Sequence, residues 1–291
     1  VSVPRVPAPT LAVGAIVSVQ FGSAFARTHF DEVGPVGAAT LRLVFAALIL
    51  LAVVRPRAWR WSRAQWLSTV LLGIALAGMN SLIYLALDRI PIGVAVTLEF
   101  TGPLVLALVQ TRRWRDALWA LVAFSGVVLL GVGSSGAVVL AGVVLALGAG
   151  LFWAGYILAS SRVGRQIGGI DGLAVAIVIA AVLVAPFGGG RAAAALVSTP
   201  SLVIVFLIVA VLTSALPYAL ELVALRTLPT RVFGVLSSLG PAVAAIAGLI
   251  VLGQTLALRE IAALVLVSVA SVAVTLGRAD RGRRAPLIEP V

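Results

Sequence analysis

The chain has 291 residues, 62% of them hydrophobic and 11% charged, with a mean hydropathy of +1.18, a balance far from that of soluble domains. The absence of cysteine excludes a disulfide framework and a thiol-ligated metal, and a single histidine, His29, leaves little for zinc or proton-relay chemistry. The net charge of +11 is carried by 21 arginines and no lysine, and basic loops at a membrane surface account for it without nucleic acid.

A hydrocarbon core about 30 Å thick requires about 20 apolar residues per spanning helix. The apolar runs predict ten such helices. In the first half they are Leu11–Thr28, Pro35–Val54, Gln65–Leu87, Pro91–Gln110 and Asp116–Gly133. In the second they are Val138–Ser161, Gly172–Phe187, Ser201–Leu225, Arg231–Gly253 and Glu260–Gly277. Nothing is left over for a soluble domain. The first helix has a competing reading, because Arg5, the apolar run from Leu11 and Ala24-Phe25-Ala26 have the layout of a cleavable signal peptide. Removing it would leave nine spans. His29 and Asp31-Glu32, just beyond it, read as solvated loop residues.

Three ionisable residues fall well inside predicted spans: Arg42, Glu99 and Glu221. A charge at a helix centre costs about 2.5–3.5 kcal/mol on insertion scales, so such groups face a cavity or one another. In the third helix Gly73, Ala77, Asn80 and Tyr84 step by three or four and share a face. In the fourth, Glu99 shares a stripe with Gly102, Leu106 and Gln110; in the eighth, Ser214, Pro217, Tyr218 and Glu221 form another. The ninth has a smooth face of Gly234, Ser238, Pro241, Ala245 and Gly248, which suits close helix packing or a ligand wall. Two roles fit the charges. Arg42 and Glu99 either lock helices together as an internal pair or contact a small polar solute. In the second case the substrate-binding candidates are Arg42, Asn80, Tyr84, Glu99, Tyr218 and Glu221.

Trp153 and Tyr156 in the sixth helix fit a cavity cover or ordinary core aromatics, and Trp59, Trp61, Trp66 and Trp114 fit interfacial anchors. Pro91, Pro200 and Pro229 fall near helix starts, where a missing N–H costs nothing. Pro103, Pro217 and Pro241 fall inside helices, so kinks are expected and neighbours must satisfy the freed carbonyls.

The chain also repeats. Pro91 and Gly102-Pro103 recur at Pro229 and Gly240-Pro241, an offset of 138, with Ala86-Leu87 matched by Ala224-Leu225 and Leu98 by Leu236. Five helices per copy is odd, so the copies are expected to lie in the membrane with opposite orientation, and inverted repeats with Gly/Pro-interrupted helices mark secondary transporters. Arginine sets the orientation. With both termini on one side, that side collects Arg5, Arg55, Arg57, Arg60, Arg63, Arg112, Arg113, Arg115, Arg162, Arg165, Arg226, Arg231, Arg278, Arg281, Arg283 and Arg284. The other holds Arg27, Arg89, Arg191 and Arg259. Sixteen against four puts both termini in the cytoplasm.

Several blocks resemble a known family. They are Gly78-Met79-Asn80, Thr97-Leu98-Glu99-Phe100-Thr101-Gly102-Pro103, Ala146-Leu147-Gly148-Ala149-Gly150, the run from Ser214 to Glu221, and the run from Leu228 to Gly234. Together they are similar to the EamA-repeat family of the drug/metabolite transporter superfamily, in particular its bacterial amino-acid exporters, over residues 11 to 277. The resemblance implies ten helices in two five-helix repeats and export of threonine, homoserine and related amino acids. Two departures matter: Gly240 stands where the family often has an acid before the proline, and Gly253-Gln254 where it commonly has Gly-Glu. Claims resting on those acids do not transfer.

The expected fold is therefore an all-α membrane protein of ten transmembrane helices in two inverted repeats, 11–133 and 138–277, followed by a basic cytoplasmic tail, 278–291. The expected function is export of small polar metabolites by alternating access from the bacterial inner membrane. Arg42 would receive the carboxylate of a zwitterion, and Glu99 its ammonium or a proton. Expected partners are a small-molecule substrate and membrane lipid, without nucleic acid, metal or cofactor. No ATP-binding signature is present, so a gradient drives transport. The alternatives are efflux of a nucleobase or cationic drug, and an integral-membrane enzyme. The enzyme would need acids or histidines clustered at a membrane face, whereas the ten acids here are scattered.

Overall fold

In the computed structural model, which describes residues 7–109, 114–131, 137–217, 220 and 230–282, every regular element among the described residues is helical. The first half comprises α1 (Ala8–Arg27), a short α2 (Phe30–Val33), α3 (Pro35–Val54), a 3-10 turn (Ala58–Arg60), α4 (Arg63–Leu87), α5 (Ile92–Glu99), α6 (Thr101–Val109) and α7 (Trp114–Gly131). The second half comprises α8 (Ala137–Gln166), α9 (Asp171–Ser198), α10 (Leu202–Ala210) continued by a π-helical turn (Val211–Ala215), α11 (Thr230–Ser237), α12 (Gly240–Leu252) and α13 (Leu258–Gly282).

Local chemistry sets several ends. Gly34 at φ +72 turns the chain into Pro35, whose missing N–H is harmless at a helix start. Ser62 caps α4 through a reciprocal exchange with Gln65, satisfying two otherwise unpaired donors. Gly253 leaves α12 in the left-handed region, where a side chain would be strained.

Six stretches among the described residues are long and apolar enough to cross a membrane: Ala8–Arg27, Pro35–Val54, Arg63–Leu87, Val139–Gln166, Asp171–Ser198 and Val235–Leu252. Ile92–Leu106 and Leu202–Ala215 are shorter apolar helices. Large apolar side chains such as Leu48, Val53, Leu140, Phe187 and Val197 point outward, as they must where the surrounding solvent is lipid. The chain is a multi-pass membrane protein.

The structure departs from the expected elements in five places. The predicted fourth helix is two helices, α5 and α6, interrupted at Phe100, and the predicted ninth is likewise split into α11 and α12 at Ser238-Leu239. Helix α9 contains Pro186 and runs eleven residues past Phe187, through three glycines, because Gly188 lies against the Val36 carbonyl and Thr40 of α3, and packing there replaces intrinsic propensity. Helix α13 continues to Gly282, so the first residues of the predicted tail are helical. Finally, the region around Asp31-Glu32 is not plain loop: Phe30 and Val33 are buried beneath them, and Arg191 of α9 donates to the Asp31 carbonyl at 2.7 Å.

Helices α5 and α11 have equivalent bounds at an offset of 138, 92–99 and 230–237. Contacts also exchange under that offset. Helix α4 packs on α8 as α10 packs on α1; α5 and α6 pack on α8 as α11 and α12 pack on α1; α4 packs on α9 as α10 packs on α3.

Candidate functional site

The site begins with a proline. Pro217 has no N–H, so it cannot serve Thr213, its ordinary partner four residues back. In the π-helical turn the Leu216 N–H goes to Val211, and Pro217 has none to offer at the next position, so the Leu212 carbonyl also loses its intrahelical partner. Two side chains from other helices supply what is missing. Ser18 of α1 donates to Leu212 at 2.5 Å, and Arg42 of α3 donates through Nη2 to Thr213 at 3.1 Å. Gly22 admits this turn against α1, since a β-carbon there would stand 2.7 Å from Thr213 and 2.9 Å from Leu212.

Arg42 is 8% exposed, and its Nε is buried with no hydrogen-bond partner among the described residues. Its guanidinium lies 5.6 Å from the centre of the Tyr84 ring, a cation–π distance. Tyr84 is fully buried, its ring tilted against that of Phe30 at 5.6 Å, and its hydroxyl also lacks a partner among the described residues. Two unsatisfied buried donors are costly, about 1–3 kcal/mol each when nothing occupies the space. Asn80, one turn from Tyr84, is buried but donates to the Leu76 carbonyl of its own helix.

Glu99 ends α5 at the interruption before Gly102-Pro103 and is 9% exposed. No described side chain donates a hydrogen bond to its carboxylate, and no ion pair joins it to Arg42, although Arg42 is near enough to act on its charge. Of the two readings of Arg42 and Glu99, the internal ion pair is not formed: both side chains are buried but not paired with each other. Pro103 also withholds an N–H from the Glu99 carbonyl, and Gly150 of α8 fits against that freed carbonyl: a β-carbon on Gly150 would lie 2.6 Å from it. In return, a β-carbon on Gly102 would fall on the Gly150 carbonyl itself. The interruption is held by backbone against backbone. Phe100 meets Trp153 of α8 edge-on at 5.1 Å, over this same junction.

Tyr218 and Glu221 lie outside the described residues, as does Gln110. Of the six candidate residues, Arg42 and Tyr84 are in direct contact, Glu99 is close by, and Asn80 faces its own helix. Sequence reasoning missed Ser18 and Thr213. Ser18 is one of two serines in the apolar α1 and carried no distinguishing signal, whereas Thr213, four residues before Pro217, owns the carbonyl that the proline frees.

The other small-residue faces serve packing. In the third predicted helix, Gly73 abuts Ile179 and the Ala176 carbonyl of α9. On α12, Ala245 lies against Gly93 of α5 and Gly248 against Ile92. The two family departures take different places. A β-carbon on Gly240 would stand 3.5 Å from Phe100 and 3.9 Å from the Gln20 amide, so an acid there would face the interruption. Gln254, in contrast, caps a helix: its Oε1 accepts the Ile92 N–H of α5 at 3.0 Å. Removing that acceptor in Gln254→Ala is expected to destabilise the protein by about 1 kcal/mol, the usual worth of an N-terminal cap, while Gln254→Glu keeps the acceptor and the stability. Melting curves of the two purified variants check this; equal melting of the alanine variant and the parent would remove the capping role.

The chain matches the model of the EamA-like transporter family over residues 140–276. It is 43% identical to threonine/homoserine exporter RhtA of Salmonella typhimurium strain SL1344, across 95% of this chain and 92% of that one. It is also 43% identical to the protein of the same name from Escherichia coli K12, across 90% of this chain and 89% of that one. A crystal structure of another protein superposes with a TM-score of 0.61 at 17% identity, covering 94% of this chain and 99% of its own, a likeness of fold alone.

Proposed function

Since the chain belongs to the EamA-like transporter family, we propose that it exports small polar amino acids, threonine and homoserine foremost, as a gradient-driven secondary transporter. That it is a membrane transporter and not an enzyme follows from the family. The substrate reading is carried by 43% identity, over 95% of the chain, to proteins named for threonine/homoserine export. The site supports it. A zwitterion between Arg42 and Glu99 would give its carboxylate to the unpartnered Nε and the Tyr84 hydroxyl, and its ammonium to the carboxylate that no described side chain reaches. Tyr218 and Glu221 complete the proposed set from the second half. The test is to load bacterial cells with each amino acid and follow intracellular and extracellular amounts with and without raised expression. Unchanged efflux of both, with faster efflux of a nucleobase or cationic dye, would replace the amino-acid reading.

The architecture proposed is ten spans in two inverted repeats, 11–133 and 138–277, moving against one another in the bacterial inner membrane. Matching bounds of α5 and α11, the exchanging contacts and a family match that begins at residue 140 support it. The sixteen-to-four arginine bias supports cytoplasmic termini. Because the native chain has no cysteine, Ala64→Cys and Ser201→Cys, both at exposed positions, can be probed without background. An impermeant thiol reagent applied to intact cells is expected to label Ser201→Cys and spare Ala64→Cys; the reverse pattern would invert the topology.

A further inference from the structure

The Nε–Nη2 edge of a guanidinium is one of its two-donor faces, the geometry a carboxylate takes bidentately. In Arg42 that edge is divided: Nη2 is spent on the Thr213 carbonyl, Nε is buried with no partner among the described residues, and the guanidinium lies over the ring of Tyr84, whose hydroxyl likewise has none. We infer that Arg42 is a shared latch, holding the Pro217 bulge of α10 when the site is empty and surrendering Thr213 when a substrate carboxylate takes the whole edge. Ser18 keeps its hold on Leu212 from α1 throughout, since nothing in its contact competes for it. Substrate occupancy is thereby converted into a change in the backbone of α10, a helix that packs on both α1 and α3. This makes Arg42 a positioning residue for α10 as well as a substrate contact, and makes Pro217 the reason the latch exists. The carboxylate arm of the inference rests on the amino-acid reading above; the latch itself does not.

The two are separable by experiment. Pro217→Ala restores an N–H to Thr213 and lets the turn close as ordinary helix, leaving the Arg42 edge free. In vesicles measuring threonine counterflow, this variant is expected to bind threonine more tightly and turn over more slowly, with KM and maximal rate each lower by about tenfold, the split that marks binding gained without turnover. A merely structural proline would leave KM where it was, and that result overturns the shared edge. The latch is read from melting temperatures in detergent. Arg42→Gln is expected to lower the melting temperature of the parent, where Arg42 serves the Thr213 carbonyl in place of the missing Pro217 N–H, and to cost less in the Pro217→Ala protein, because Thr213 then regains its helical partner. An equal loss in both backgrounds overturns the latch. If the parent moves no threonine, the amino-acid reading fails, the carboxylate arm fails with it, and the melting-temperature cycle still decides the latch.

Discussion

Gly102→Ala is expected to eliminate transport and most of the folded protein. The β-carbon it adds falls on the Gly150 carbonyl of α8, and neither partner is a side chain that can rotate away. Overpacking a well-fitted contact costs about 1–3 kcal/mol, and more where backbone must shift. Here two backbones would have to part. The separation would also uncover the Glu99 carbonyl, which Pro103 leaves without its helical donor and which Gly150 covers. The expected readout is a low yield of monodisperse protein in detergent, a melting temperature well below the parent, and no threonine uptake by vesicles made from what survives. Gly150→Ala should fail in the same way, since its β-carbon meets the Glu99 carbonyl at 2.6 Å. Parental melting and uptake in either variant would mean that the two helices do not cross as closely as described.

Glu99→Gln is expected to behave oppositely, abolishing transport in a protein that folds normally. Were Glu99 the ion-pair partner of Arg42, neutralising it would strand a buried cation and cost about 3–5 kcal/mol. The two groups are not paired, and Arg42 spends a donor on Thr213 instead. Gln preserves shape and removes a buried charge, so the melting temperature should hold or rise. Transport should fall by about two orders of magnitude if the carboxylate receives an ammonium or a proton, because a lost contact between buried charged groups is worth about 2–5 kcal/mol and about 1.4 kcal/mol corresponds to tenfold. Vesicle uptake and melting of Glu99→Gln, of Arg42→Gln and of the double variant separate the roles. Arg42→Gln alone should lower stability by orphaning Thr213. Full transport by the double variant would end the assignment of either residue to substrate or proton.

Composition and apolar run length alone made this a polytopic helical membrane protein, because runs of about 20 apolar residues cross lipid as helices, which satisfy their own backbone polar groups, whereas barrel strands are about half that length. The recurrence of Pro91 and Gly102-Pro103 at Pro229 and Gly240-Pro241 located the two interrupted helices, since proline and glycine act on the backbone locally and leave their mark in the sequence. Arg42 and Glu99 stood out for a similar reason: a charge in an apolar run is expensive wherever the helix ends up. Local rules failed where neighbours decide. Nothing in the run ending at Phe187 announces that α9 continues to Ser198, since the support comes from α3 across the interface. The small-residue faces of α4 and α12 were ambiguous for the same cause, packing surface and ligand wall having one composition.

The sequence by itself determined that Pro217 must free carbonyls and that Arg42 must find a partner. Only the tertiary structure decided that these two needs meet each other. A hydrogen bond between residues 171 positions apart depends on how α3 and α10 lie together, and no local pattern encodes that distance. The same holds for Ser18 on Leu212 and for Gly102 against Gly150: each residue type reads as small or polar in the chain, and becomes a specific contact only when packing brings its partner within reach.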